Sequence, residues 1–142
     1  MEVMYSSHSV YKTIYHIVII TKFRNEVLNP GFAKYTQEVI KTLVKYYEGV
    51  EITEINVQVD HVHMVMIIPP KYSVSSVIQR IKSESAKIVR RKFEWLDKVY
   101  WGTRSLWSSG YFVSTIGLNE EQIKNYVKYQ KKQDSGQTKF EI

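Results

Sequence analysis

The chain has 142 residues, 44% of them hydrophobic and 24% charged, with a net charge of +6, which suits one compact domain with a core of its own. It contains no cysteine, which excludes a disulfide framework, a thiolate zinc site and a thiol nucleophile and fits a reducing, cytoplasmic setting. Its aliphatic runs are too short to span a bilayer, and the stretch from Met1 to His8 lacks the basic start and apolar run of a signal peptide, so no membrane partner is expected.

The first periodic segment is Tyr11 to Thr21. Both of its faces are largely apolar, which predicts a central strand covered on two sides. Lys22 to Asn25 leaves it as a loop. Asn29-Pro30 then signals a helix start, with Asn as cap and Pro at the first helical position. Phe32, Tyr35, Val39, Leu43 and Tyr46/Tyr47 follow at helical spacing, and Gly49 fits the stop.

Ile55, Val57 and Val59 alternate with polar residues, giving a half-buried strand. A tight connection near Asp60 pairs it with a second strand, His61 to Ile68, bounded by Pro69-Pro70. If that strand begins at His61, then His61, His63, Val65 and Ile67 face one way and Val62, Met64, Met66 and Ile68 the other.

Ser73 or Ser75 can cap the next helix, whose apolar stripe includes Val74, Val77, Ile78, Ile81, Ile88 and Val89 and which is expected to end near Trp95. Lys98 to Ser109 reads as irregular, and Tyr111 to Thr115 as a short last strand. The final helix is capped by Asn119. Glu120 and Glu121 favour its positive end and Gln122 holds the capping-box position. One domain over 1–142 is expected, with a core over about 10–117, the last helix over about 119–133 and a frayed tail over 134–142. The order β-α-β-β-α-β with one added helix is the ferredoxin-like α+β pattern, an antiparallel sheet with helices on one face and the other face open. RNA-recognition modules of this topology use that open face for single strands.

The charge is uneven. Lys71 to Arg104 holds nine Lys or Arg against three Asp or Glu, an excess equal to that of the whole chain. A clustered basic segment is the footprint of a nucleic-acid binder or simply a solvated helix face. Arg80, Lys82, Lys87, Arg91 and Arg104 are its candidate contacts.

Chemistry concentrates in two places. His61 and His63, two apart on a strand, present both imidazoles to one face, where they can share a metal ion or make ordinary hydrogen bonds. Tyr126 and Gln130, four apart on the last helix, share a face too. A phenolic oxygen can attack phosphorus and an amide oxygen can ligate a metal.

Asp60-His61-Val62-His63-Met64-Val65-Met66 resembles the HUH motif of the single-tyrosine HUH transposases of small insertion sequences. Ile78 to Ser83 resembles that family's second helix, Leu106 to Gly117 the segment before its last helix, and Ile123 to Gln130 its catalytic helix. The resemblance implies that Tyr126 is the nucleophile, with Tyr129 a nearby rival whose spacing to Gln130 does not match. It also implies that His61, His63 and Gln130 hold one divalent ion, Mg²⁺ or Mn²⁺. The implied reaction is cleavage and rejoining of single-stranded DNA through a 5′-phosphotyrosine. The implied assembly is a homodimer with shared active sites that recognises DNA hairpins at the element's ends. Two other readings fit the same residues: a domesticated relative cutting chromosomal hairpins, and a non-catalytic single-strand or hairpin-binding module on the same fold.

Overall fold

A computed structural model describes residues 3–5, 10–115 and 120–134. Its strands are β1 (Met4–Tyr5), β2 (Val10–Tyr11), β3 (Ile14–Ile20), β4 (Glu51–Val57), β5 (His61–Ile67) and β6 (Phe112–Ser114). Its helices are α1 (Pro30–Val44), α2 (Val74–Lys92), the short α3 (Leu96–Val99) and α4 (Glu120–Asp134). The main sheet runs β4-β5-β3-β6 with every neighbour antiparallel. With α1 between β3 and β4 and α2 between β5 and β6, this is the ferredoxin-like arrangement.

The period-two alternation of the strands sorts their side chains onto two faces. Ile17 and Ile19 of β3 and Val62, Met64 and Met66 of β5 point into the main core, against Phe32, Ile40 and Val44 of α1 and Val77, Ile78, Ile81 and Val89 of α2. Each such buried side chain contributes on the order of 2 kcal/mol. Both helices begin at side-chain caps: Asn29 Oδ1 accepts from Phe32 N at 3.1 Å, and Ser73 Oγ from Ser76 N at 3.1 Å.

The opposite face carries His16, Val18 and Ile20 beside His61, His63 and Val65, because directly paired residues share a face. This face was expected to be open. Instead α4 lies across it, and Tyr126 and Val127 bury Val18 and Ile20 in a second, smaller apolar cluster.

Several boundaries differ from the sequence pattern. The first long strand starts at Ile14, and Val10–Tyr11 pairs with Met4–Tyr5 in a separate hairpin. Helix α1 ends at Val44, before Tyr46 and Tyr47. Gly49 instead serves the following turn, where φ is +85° and an added Cβ would stand 2.8 Å from Pro69 Cγ. Helix α2 ends at Lys92 because Phe93 leaves helical geometry to pack its ring 4.8 Å from Phe32. The irregular stretch contains α3, and Trp107 bridges to Thr21 while its indole nitrogen donates to the buried Ser85 hydroxyl at 3.0 Å. The Asn119 cap, Gly117 and the tail beyond Asp134 lie outside the described residues.

Candidate active site

The strand phase that sends Val62 and Met64 into the core turns His61 and His63 to the face that α4 crosses. Neither imidazole is loose. His61 Nδ1 donates to Asp60 Oδ1 at 2.8 Å, which leaves Nε2 as the nitrogen with the free lone pair. Arg24 Nε donates to the other carboxylate oxygen, Asp60 Oδ2, at 3.0 Å. The backbone of Asp60 is fixed as well, since its carbonyl accepts from Thr21 N at 3.0 Å. Arg24 reaches this position from a tight 3₁₀ turn in which Phe23 and Arg24 both hold φ of 57°, a left-handed conformation that non-glycine residues seldom adopt. The hydrogen bond from His61, aided by Arg24, holds the Asp60 carboxyl below its ordinary value despite burial. Burial, then the neighbouring His16 and His61, push His63 below the ordinary histidine value. Its ring is therefore neutral at pH 7, the form that binds metals.

Helix α4 presents two different sides to this floor. Ile123, Lys124, Val127 and Lys128 line a small pocket with Arg24, Asp60 and His61. Tyr126 and Gln130 turn towards β6. The Tyr126 ring stands 5.2 Å from that of Phe112 and 6.2 Å from that of Tyr129. Gln130 Nε2 donates to the Ser109 carbonyl at 2.8 Å. Asp134 Oδ2, at the end of the helix, accepts from Phe23 N at 2.9 Å and from the Ser108 hydroxyl at 2.6 Å. Burial raises the Tyr126 phenol above its ordinary value, so it carries its proton at neutral pH. Tyr126 thus packs on Val18 and Ile20, the strand partners of His63 and His61, while Gln130 is engaged at Ser109. Among the described residues no three His, Cys, Asp or Glu side chains converge at ligating distance.

Residues 9–130 match the family model for IS200-like transposases. This chain belongs to that family. It is 32% identical over 128 residues to the IS200 transposase of Salmonella typhimurium, covering 90% of this chain and 83% of the relative. It is 26% identical over 122 residues to the ISDra2 transposase of Deinococcus radiodurans, covering 85% and 86%. A crystal structure of a D. radiodurans R1 protein assigned as a transposase superposes with a TM-score of 0.81 at 26% identity, over 89% of this chain and 97% of that one. The fold extends to a REP-associated tyrosine transposase bound to a REP hairpin, with a TM-score of 0.54 at 15% identity over 94% and 74%.

In this IS200-like chain the five basic candidates come together. Arg80, Lys82, Lys87, Arg91 and Arg104 line one open groove of about 1180 Å³ between α2 and the segment that leads into β6. They are not equivalent. Arg80, Lys87, Arg91 and Arg104 are exposed. Lys82 is partly buried and donates to the Ser108 and Gly110 carbonyls at 2.6 and 2.5 Å, and burial lowers it to about 8. It therefore braces the loop on which Gln130 docks. Arg90 is likewise structural: it donates to the Thr103 and Ser105 carbonyls and pairs with Asp97.

Sequence reasoning passed over Arg24, the role of Asp60 and His16. The only signal for Asp60 was its place next to His61. Arg24 lay in a stretch read as a plain loop, and its left-handed backbone has no glycine to announce it. His16 stood in a strand read as apolar on both faces, and only pairing with β5 places it beside His63.

Proposed function

We propose that this chain is a transposase that cleaves and rejoins single-stranded DNA at the ends of an insertion sequence, using Tyr126 as nucleophile. Family membership supports DNA processing by a transposase. The observation that carries the finer reading is the pair of oriented imidazoles, His61 and His63, on the sheet face crossed by the helix that bears Tyr126.

The donor set fits a divalent ion. His61 is hydrogen-bonded through Nδ1 so that Nε2 can ligate, and His63 is held neutral. Gln130 uses its amide nitrogen on Ser109, so its oxygen is the ligating atom it can contribute after leaving that contact. His61, His63 and Gln130 would hold Mg²⁺ or Mn²⁺; two imidazoles favour Mn²⁺. Such an ion supplies Lewis acidity at a phosphate oxygen.

The protein's own part begins with binding. Arg80, Lys87, Arg91 and Arg104 draw the phosphate backbone of a hairpin to the groove. Tyr126 Oη then attacks the scissile phosphorus and gives up its proton. The bond from phosphorus to the 3′ oxygen breaks, that oxygen is protonated, and a 5′-phosphotyrosine and a free 3′-OH result. Rejoining reverses these steps with the 3′-OH of another strand, so no nucleotide cofactor is consumed. Tyr126 rests with its ring against Phe112. We assign a homodimer in which each α4 helix serves the other chain's histidines.

Tyr126→Phe is expected to abolish the covalent protein–DNA adduct on labelled single-stranded DNA with Mn²⁺, while Tyr129→Phe still forms it. A trapped adduct whose labelled peptide carries Tyr129 instead would refute the assignment. The same labelled DNA incubated without divalent metal should remain uncut.

A further inference from the structure

Among the described residues, His16 is the histidine that no part of the proposed chemistry uses. It lies on β3, opposite Val65, with its side chain on the face that carries His61 and His63. Its Nδ1 stands 3.4 Å from His63 Nε2. The rings are inclined by 30° with centroids 5.6 Å apart. With one ring donating, this is at most a long hydrogen bond, since N–H···O bonds cluster at about 2.7–3.2 Å. It does match another arrangement: two nitrogens bound at about 2.1 Å to one tetrahedral ion stand about 3.4 Å apart. The nitrogen of His63 that faces His16 is Nε2, and none of the described hydrogen bonds ties it to the protein backbone. In the same structure Gln130 is docked on Ser109. The face therefore holds a preformed imidazole pair while the glutamine is engaged elsewhere.

We infer that His16 is a further ligand of this site, sharing a transition-metal ion with His63 through His16 Nδ1 and His63 Nε2 while Gln130 is docked on Ser109. The inference deepens the metal site proposed above and rests on it. Imidazole donors suit Zn²⁺, Co²⁺ or Ni²⁺ better than Mg²⁺. The pair is a half-site, and water or a substrate oxygen completes it. Sharing the ion this way would retain the metal on the histidine face before Gln130 arrives, so that loading precedes movement of α4.

The test is a Zn²⁺ titration of the full chain, ¹⁵N-labelled, read by long-range imidazole ¹H–¹⁵N spectra without DNA. His16 Nδ1 and His63 Nε2 are expected to move together into the range of metal-bound nitrogen. A Co²⁺ isotherm follows, in which His16→Ala and the more conservative His16→Asn each weaken binding about 10- to 100-fold. His63→Ala should lose binding altogether. Shifts at His61 and His63 with His16 unmoved, or a wild-type Co²⁺ affinity in both His16 variants, would overturn the role of His16 and leave the Tyr126 chemistry standing. No shift at any histidine would overturn the metal site itself. Both readouts are independent of strand cleavage, so a failed nucleophile cannot imitate either result.

Discussion

Asp60 shows how much of the site depends on a residue that performs no chemistry of its own. One carboxylate oxygen fixes the tautomer of His61 and the other fastens the Arg24 turn to the start of β5. The carboxyl is depressed below its ordinary value of 3.8, chiefly by the hydrogen bond from His61. A depressed carboxylate stabilises the fold fully above its unfolded value and loses that contribution as pH falls through the folded one. Asp60→Asn copies the protonated side chain in shape. It should cost about 2 kcal/mol at pH 7, typical of buried hydrogen bonds to a charged group, and the gap from wild type should narrow as pH drops below 3.8. Urea denaturation of both proteins at pH 7 and at successively lower pH measures this. A gap that stays constant with pH would mean that the charge of Asp60 contributes nothing. The hydrogen bond from His61 could not be read from the sequence, because it depends on a side-chain rotamer. The phase of the strand was legible only on the condition that it begins at His61, which the burial of Val62, Met64 and Met66 in the main core meets.

At the level of elements, α2 divides its cations between two tasks. Period and charge alone made Arg80, Lys82, Lys87 and Arg91 look alike. The loop that follows α3 separates them, because its carbonyls capture Lys82 and Arg90 and leave the others to the groove. Neutralising Arg80, Lys87 and Arg91 together should lower the slope of log K against log salt by about 2 to 3, given roughly 0.7 per phosphate contact on a single strand and 0.9 on a duplex stem. Lys82→Met should leave that slope nearly unchanged and destabilise the 108–110 segment instead. Fluorescence anisotropy with a labelled hairpin, repeated across salt concentrations, distinguishes the two. If Lys82→Met flattens the slope as much as the triple variant does, the DNA reaches further along the groove than the exposed cations indicate. The elements themselves were legible, with Asn29-Pro30 marking one helix start and Ser73 or Ser75 the other, of which the structure uses Ser73. Their ends were less so. Phe93 breaks α2 to fill space beside Phe32, a tertiary demand that no local signal announces.

For the whole molecule the question is where α4 works. Its apolar contact with the sheet is a small cluster, Val18 and Ile20 under Tyr126 and Val127, separate from the main core. Gln130 also fastens it to Ser109, and Asp134 to Ser108 and Phe23. Because its apolar cluster is separate from the main core, the helix can leave one sheet for another without opening that core. Where it rests here, the Tyr126 ring lies against Phe112 of β6, and His61 shares a pocket with Lys124 and Lys128. A dimer that exchanges α4 makes a definite prediction for two inactive variants, His61→Ala and Tyr126→Phe. In a mixed dimer one site receives both defects. The other combines the intact histidines of the Tyr126→Phe chain with the intact tyrosine of the His61→Ala chain. Purified mixed dimers should therefore recover about half of wild-type cleavage, since one of two sites is whole. The covalent adduct should form only on the His61→Ala chain, which a size tag on one variant makes visible on a denaturing gel. Sites completed within a single chain would leave every site defective. Mixed dimers that bind hairpin DNA as tightly as the wild type and still fail to cut would place each tyrosine with its own histidines.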